Sequence, residues 1–273
     1  MDAYLNEVAQ VGRQKARVQR VILMGMMGYA VRHDAIAENP VRDVSRLRRQ
    51  RAKPRATDAD TLLALRSHLA DWCAGKDLPQ AKRGPRRSPQ ILHVSDLALA
   101  TGARPNEVFA LRWCDVNFDA QPVQLTIRGT IVKVKGKPLY RQEWTKNDAG
   151  YRTVQLPTFA VDTLLRLRAE IPPEASDDPE RLIITNRIGG IMDSRNFNRR
   201  RSQARGPEFD WVTVQTFRKT VATMIAHEHG PDLAAAQLGH ASNAVTRAHY
   251  IDQPTLAPDF TAVLDRSVAE SVP

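Results

Sequence analysis

The chain has 273 residues, enough to bury a large core as one big domain or two smaller ones. Lys and Arg number 40 against 30 Asp and Glu, a formal charge of +10 that favours a polyanionic partner, nucleic acid first. The two cysteines, Cys73 and Cys114, have no paired spacing, which argues against a disulfide framework or a structural zinc site. The longest apolar run, "VILMGMMGYAV" at 21–31, is too short to cross a bilayer. The N-terminus "MDAYLNEVAQ" lacks the basic start and apolar stretch of a signal peptide, so the expected location is the cytoplasm.

Residues 3–33 have few breakers and apolar spacing that fits one or two helices, and Asn39-Pro40 in "ENPVRDV" marks a boundary. Arginines and lysines then crowd around Pro54. We read 1–45 as a partial helical DNA-binding segment, 46–56 as a basic linker and 57–273 as a catalytic domain with a tail from about 252. Arg46, Arg48, Arg49, Arg51, Lys53 and Arg55 are the linker's candidate phosphate contacts. Thr57 with Asp60 has the form of a capping box opening a helix through about Cys73. A second basic loop, rich in Pro and Gly, fills 75–90.

A helix is predicted from about Ile91 to the Thr101-Gly102 stop, and another from near Pro105. From Gln121 to Leu156 the period changes to that of strands, with "TKNDAG" at 145–150 as the turn of a hairpin between two of them. Helices return after Pro157, with "RLIIT" as one further candidate strand. The fold class is therefore mainly α with a small antiparallel β-sheet.

No phosphate-binding Gly-rich loop and no Gly-x-Ser-x-Gly elbow is present, and "HEHG" at 227–230 lacks the one-turn spacing of a metal site. What stands out is cations in apolar helices. Arg104 lies just past a Gly turn, and Arg218 sits among Val, Phe and Ala. An arginine is costly to bury there unless it meets an anion. A structural ion pair is the ordinary outcome for each alone, and Glu107 is a ready partner for Arg104.

Taken in order, "TGARPNEVFALRW", "TKNDAGYRTVQLP", "TFRKTVAT", "LGHAS" and the final His-Tyr pair of "TRAHY" resemble the tyrosine recombinase (phage integrase) family over roughly 57–251. "RKTVAT" is similar to integrases of actinobacterial phages and mobile elements. The resemblance implies a tyrosine-recombinase-like catalytic domain in which Tyr250 is the nucleophile and Arg104 and Arg218 clamp the scissile phosphate. Lys146 would be the general acid and His240 the histidine of the third box. It also implies a covalent 3′-phosphotyrosine, no nucleotide cofactor, no metal, and a homotetramer on paired DNA attachment sites. A directionality factor or a host DNA-bending protein would be its further partners.

Two departures from the family pattern stand out. Gln215 occupies the place of the usual histidine three residues before Arg218; it can ligate a phosphate oxygen but cannot exchange a proton near neutral pH. Lys219, next to Arg218, stands where many members have a second histidine, lysine being an accepted variant there, and is a further candidate DNA contact. The second departure is the helical segment before the linker, which is shorter than the family's, as in a truncated chain. These departures keep open a second reading, a DNA-binding relative that retains the fold without turnover. A type IB topoisomerase relative would share the chemistry without needing paired sites.

Overall fold

The computed structural model describes residues 2–44, 55–76, 87–143, 151–173 and 178–240, together with Ala244, Thr246 and Ile251. The chain divides into two compact units, Met1–Ala52 and Lys53–Pro273.

In the first unit, helices α1 (Asp2–Val11) and α2 (Arg13–Arg32) are separated at Gly12. Their small core consists of Leu5, Val41 and Val44, with Leu23, Met24 and Met27 packed against it. The Asn39-Pro40 boundary is pinned by one side chain. The Asn39 amide donates to the Met24 carbonyl at 3.0 Å, and its oxygen accepts from the Val41 N–H at 3.0 Å.

The second unit contains α3 (Ala59–Cys73), α4 (Gln90–Thr101) and the short α5 (Pro105–Val108), then strands β1 (Val116–Asn117), β2 (Gln124–Ile127), β3 (Gly129–Val132), β4 (Tyr140–Glu143) and β5 (Arg152–Gln155). Helices α6 (Thr158–Ala169), α7 (Ser194–Ala204), α8 (Val214–His229) and α9 (Pro231–Leu238) follow. Helix α4 is the centre of this unit. Its apolar residues Ile91, Val94, Leu97 and Ala98 are buried, and it contacts α3, α5, α6, α7 and α8. Even its one acid is internal: Asp96 takes two bonds from the Arg66 guanidinium of α3, at 2.8 and 3.1 Å, and one from the Thr163 hydroxyl of α6. A buried carboxylate held this way ties three helices together, since removing either partner would leave charge without compensation.

The strands form two small antiparallel sheets, one ordered β1-β2-β5 and one pairing β3 with β4. Leu125 faces Val154 and Ile127 faces Arg152 across the β2–β5 ladder. Mainly helical architecture with small antiparallel sheets is thus the fold class expected from the periodicities.

Three local expectations differ from what forms. Helix α3 is capped by Asp58, which accepts from the Thr61 N–H at 2.7 Å, and not by Thr57. Thr57 is buried instead, bonding the Thr220 hydroxyl through both its N–H (3.0 Å) and its own hydroxyl (2.8 Å). Asp and Thr are both good caps, and the tertiary contact to α8 decides between them. "RLIIT" makes only isolated bridges, Arg112 with Leu182 and Thr185 with Ile191, because its Ile183 and Ile184 bury directly into the helical core. The hairpin turn at 145–150 lies outside the described residues, and the strands before and after it pair elsewhere, β4 with β3 and β5 with β2. Among the described residues no helix is long and apolar enough to cross a membrane.

Candidate active site

The site grows from two helix ends. Gly102 closes α4 in the left-handed conformation, φ 64°, and a Cβ there would lie 2.8 Å from Leu238. Only glycine meets both demands. Its turn frees the Gly102 carbonyl to face α8 and starts α5 at Arg104 two residues later. Gly239 closes α9 in the same way, φ 65°, and places His240 just beyond.

Arg218 lies between these ends on α8, 0% exposed. Its guanidinium donates to the Gly102 carbonyl at 2.7 Å, to the Leu238 carbonyl at 2.7 Å, and to His240 Nε2 at 2.8 Å. Arginine can only donate, so His240 Nε2 must accept. The His240 proton therefore sits on Nδ1 and is given to the Thr246 hydroxyl, 2.7 Å away. Burial, then the charges of Arg218, Arg104 and Arg152, push His240 down to about 4 against the pull of Glu107. The imidazole is neutral at physiological pH.

Arg104 caps the N-terminus of α5, with its side chain 39% exposed. Glu107, 1% exposed, accepts from both the Arg104 guanidinium (2.7 Å) and the Arg104 N–H (3.0 Å). The ion pair foreseen between these two residues is present. A third member was not foreseen. Arg152 of β5, also buried, donates to Glu107 at 3.0 Å and to the Gln237 carbonyl at 2.9 Å. Burial pushes Glu107 up, but Arg152 and the bonds and charge of Arg104 outweigh it and hold the acid below its ordinary value. Three guanidiniums thus converge around one carboxylate and one neutral imidazole, a strongly cationic cluster suited to an anion.

Of the other sequence candidates, Gln215 is half-buried one turn before Arg218 on α8, and Lys219 is half-buried next to it. The exposed Arg55 guanidinium stacks on the Trp211 ring at 3.6 Å. Tyr250, Lys146, Arg46, Arg48, Arg49, Arg51 and Lys53 lie outside the described residues. Arg152 left one sign in the sequence: with Val154 and Leu156 it takes the inward positions of an alternating strand, where a charge needs an internal partner. Among the described residues no group of His, Cys, Asp and Glu could hold a metal ion.

The chain matches known proteins in sequence and in fold. The family model described as the phage integrase family covers residues 86–255. The integrase of the Tn1549 transposon, solved in complex with transposon right end DNA, superposes with a TM-score of 0.70 at 14% identity, covering 99% of this chain and 84% of that one. A lambda integrase dimer bound to a COC′ core site superposes with a TM-score of 0.61 at 16% identity, covering 94% and 65%. A lambda integrase tetramer bound to a Holliday junction gives 0.57 at 16%, covering 88% and 63%. Likenesses at this level of identity show the fold. No curated protein matches the sequence. Since the family match spans more than half of the chain and includes Arg104, Arg218 and His240, the protein belongs to the phage integrase family, the tyrosine-type site-specific DNA recombinases.

Proposed function

We propose that the chain binds paired duplex attachment sites as a homotetramer and exchanges strands through a 3′-phosphotyrosine on Tyr250. The observation that supports this most is the convergence of Arg104, Arg218 and His240 from three separate helices. Phosphoryl transfer is mostly positioning and neutralisation of charge on the non-bridging oxygens, and guanidiniums supply both without a metal. The Tyr250 oxygen attacks phosphorus and the bond to the 5′ oxygen breaks. Lys146 gives that oxygen its proton. The phenol loses its own proton to water, eased by the surrounding cations. His240 has both ring nitrogens engaged, so its part is to hold a hydrogen bond. The energy of the phosphodiester stays in the enzyme link, which removes any need for a nucleotide. The cytoplasm is where such DNA lies, and a directionality factor or host DNA-bending protein would set integration against excision. A nicked suicide duplex is the test: a covalent adduct supports a recombinase, and gel retardation alone supports the non-catalytic relative.

Duplex affinity is expected to fall steeply with salt, because the linker cations Arg46 to Arg55 would each displace counterions. Replacing Arg48 and Arg49 together should weaken all sequences about equally, as phosphate contacts do. Affinity that stays flat between low and moderate salt would count against this interface.

Gln215 supplies a sharper test. A neutral ligand there leaves proton transfer to other groups, so Gln215→His is expected to raise single-turnover adduct yield. The gain should stay within the roughly 10²- to 10⁴-fold of one positioned acid or base. Equal, robust cleavage by both proteins would remove any acid–base role from this position.

A further inference from the structure

We propose that Arg152 is a positioning residue for the reaction, a strap that locks the Arg104 half of the phosphate site to the Arg218–His240 half. The inference rests on reading Arg104 as a phosphate ligand. Each half is built on different elements: Arg104 on the start of α5, His240 on the end of α9. The Arg152 side chain bonds both. Its Nη2 donates to Glu107, the acid that fixes Arg104 through two further bonds. Its Nε donates to the carbonyl of Gln237, adjacent to Leu238, whose own carbonyl takes a bond from Arg218. Gln237 reinforces the same link by donating to the Thr101 carbonyl at the end of α4, 3.4 Å away.

The geometry calls for arginine. A planar fork can donate along two directions at once from one rigid group, and lysine offers a single nitrogen on a flexible stem. Burial makes the fork costly, and Glu107 is its acid. Glu107 has two oxygens, and their division carries the design. Oε1 takes the Arg104 guanidinium, while Oε2 takes Arg152 and the Arg104 N–H. Losing Arg152 would leave the carboxylate tied to Arg104 alone, so the Arg104–Glu107 pair would lose its link to the α9 side of the site. A misplacement of about 1 Å at a reacting group can cost on the order of 10²-fold in rate. The sheet contributes rigidity: Arg152 is held opposite Ile127 in the β2–β5 ladder, with Val154 buried beside it.

The test compares wild type, Arg152→Lys and the double variant Arg152→Met with Glu107→Gln. Three readouts are needed: thermal stability, single-turnover adduct yield at saturating duplex, and the ¹⁵N guanidinium resonance of Arg104. Arg152→Lys is expected to cleave about 10- to 100-fold more slowly, with duplex affinity nearly unchanged and the Arg104 resonance displaced. The double variant removes Arg152 and Glu107 together, so it should recover stability while cleavage stays low; because Glu107 also holds Arg104, the Arg104 position is read on Arg152→Lys. If cleavage returns along with stability, Arg152 merely balances charge and the proposal fails. An unshifted Arg104 resonance in folded Arg152→Lys overturns it as well. No adduct from wild type would sink the phosphate-ligand reading instead, and the Arg104 resonance would still decide whether Arg152 positions that side chain.

Discussion

Tyr250→Phe is expected to give no covalent adduct on a nicked suicide duplex, while duplex affinity stays within about threefold of wild type, because only the phenolic oxygen, the proposed nucleophile, is removed. Two described residues flank the proposed nucleophile in the chain. Thr246 is buried and its hydroxyl accepts from His240, and the buried Ile251 donates its N–H to the Thr246 carbonyl at 3.1 Å. These two bonds tie Thr246 and Ile251 to His240. On the proposed mechanism a phenol brought among these cations would ionise more readily, since nearby positive charge favours the phenolate. Denaturing gels of protein with labelled suicide duplex would read the result. An adduct formed by the Phe variant would show that another side chain attacks.

Arg218→Lys is expected to lower cleavage by about 10²- to 10³-fold or more, the scale seen when one preorganised charge-stabilising donor is removed. The same change should lower stability. Arg218 satisfies two buried carbonyls and a histidine from one planar group, and the single lysine nitrogen cannot reach all three. Each carbonyl left without a donor costs roughly 1–3 kcal/mol. Thermal unfolding separates the two effects, because DNA cleavage measured well below the melting temperature reports on the folded fraction alone. Cleavage by Arg218→Lys within tenfold of wild type would remove this guanidinium from the phosphate site.

Much of the site was legible in the sequence because its parts break local rules. Arg104 follows a glycine stop, and Arg218 is a cation inside an apolar helix; both anomalies mark places where something other than propensity chose the residue. The glycine stop itself was readable, since a left-handed helix end leaves that residue as its trace. Arg152 escaped notice because a strand as short as β5 shows its period only weakly, and its partners Glu107 and Gln237 are 45 and 85 residues away in the chain. Thr57 misled for the opposite reason. It has a good capping side chain, and nothing local announces that Thr220, 163 residues on, will claim it. Pairing among the strands was hidden likewise, since alternation shows which face is inward but not which neighbour is chosen.

The two carbonyls that hold Arg218 belong to the C-terminal ends of α4 and α9, where the helix macrodipoles present partial negative charge. Arg218 is thus balanced by these dipoles, whereas Arg104 is balanced by an acid. Peptide dipoles do not titrate, and a carboxylate does. Acidification therefore reaches the two guanidiniums by different routes: protonating Glu107 would release Arg104 from its partner, while protonating His240 would cost Arg218 one acceptor and leave its carbonyl cradle with its polarity intact.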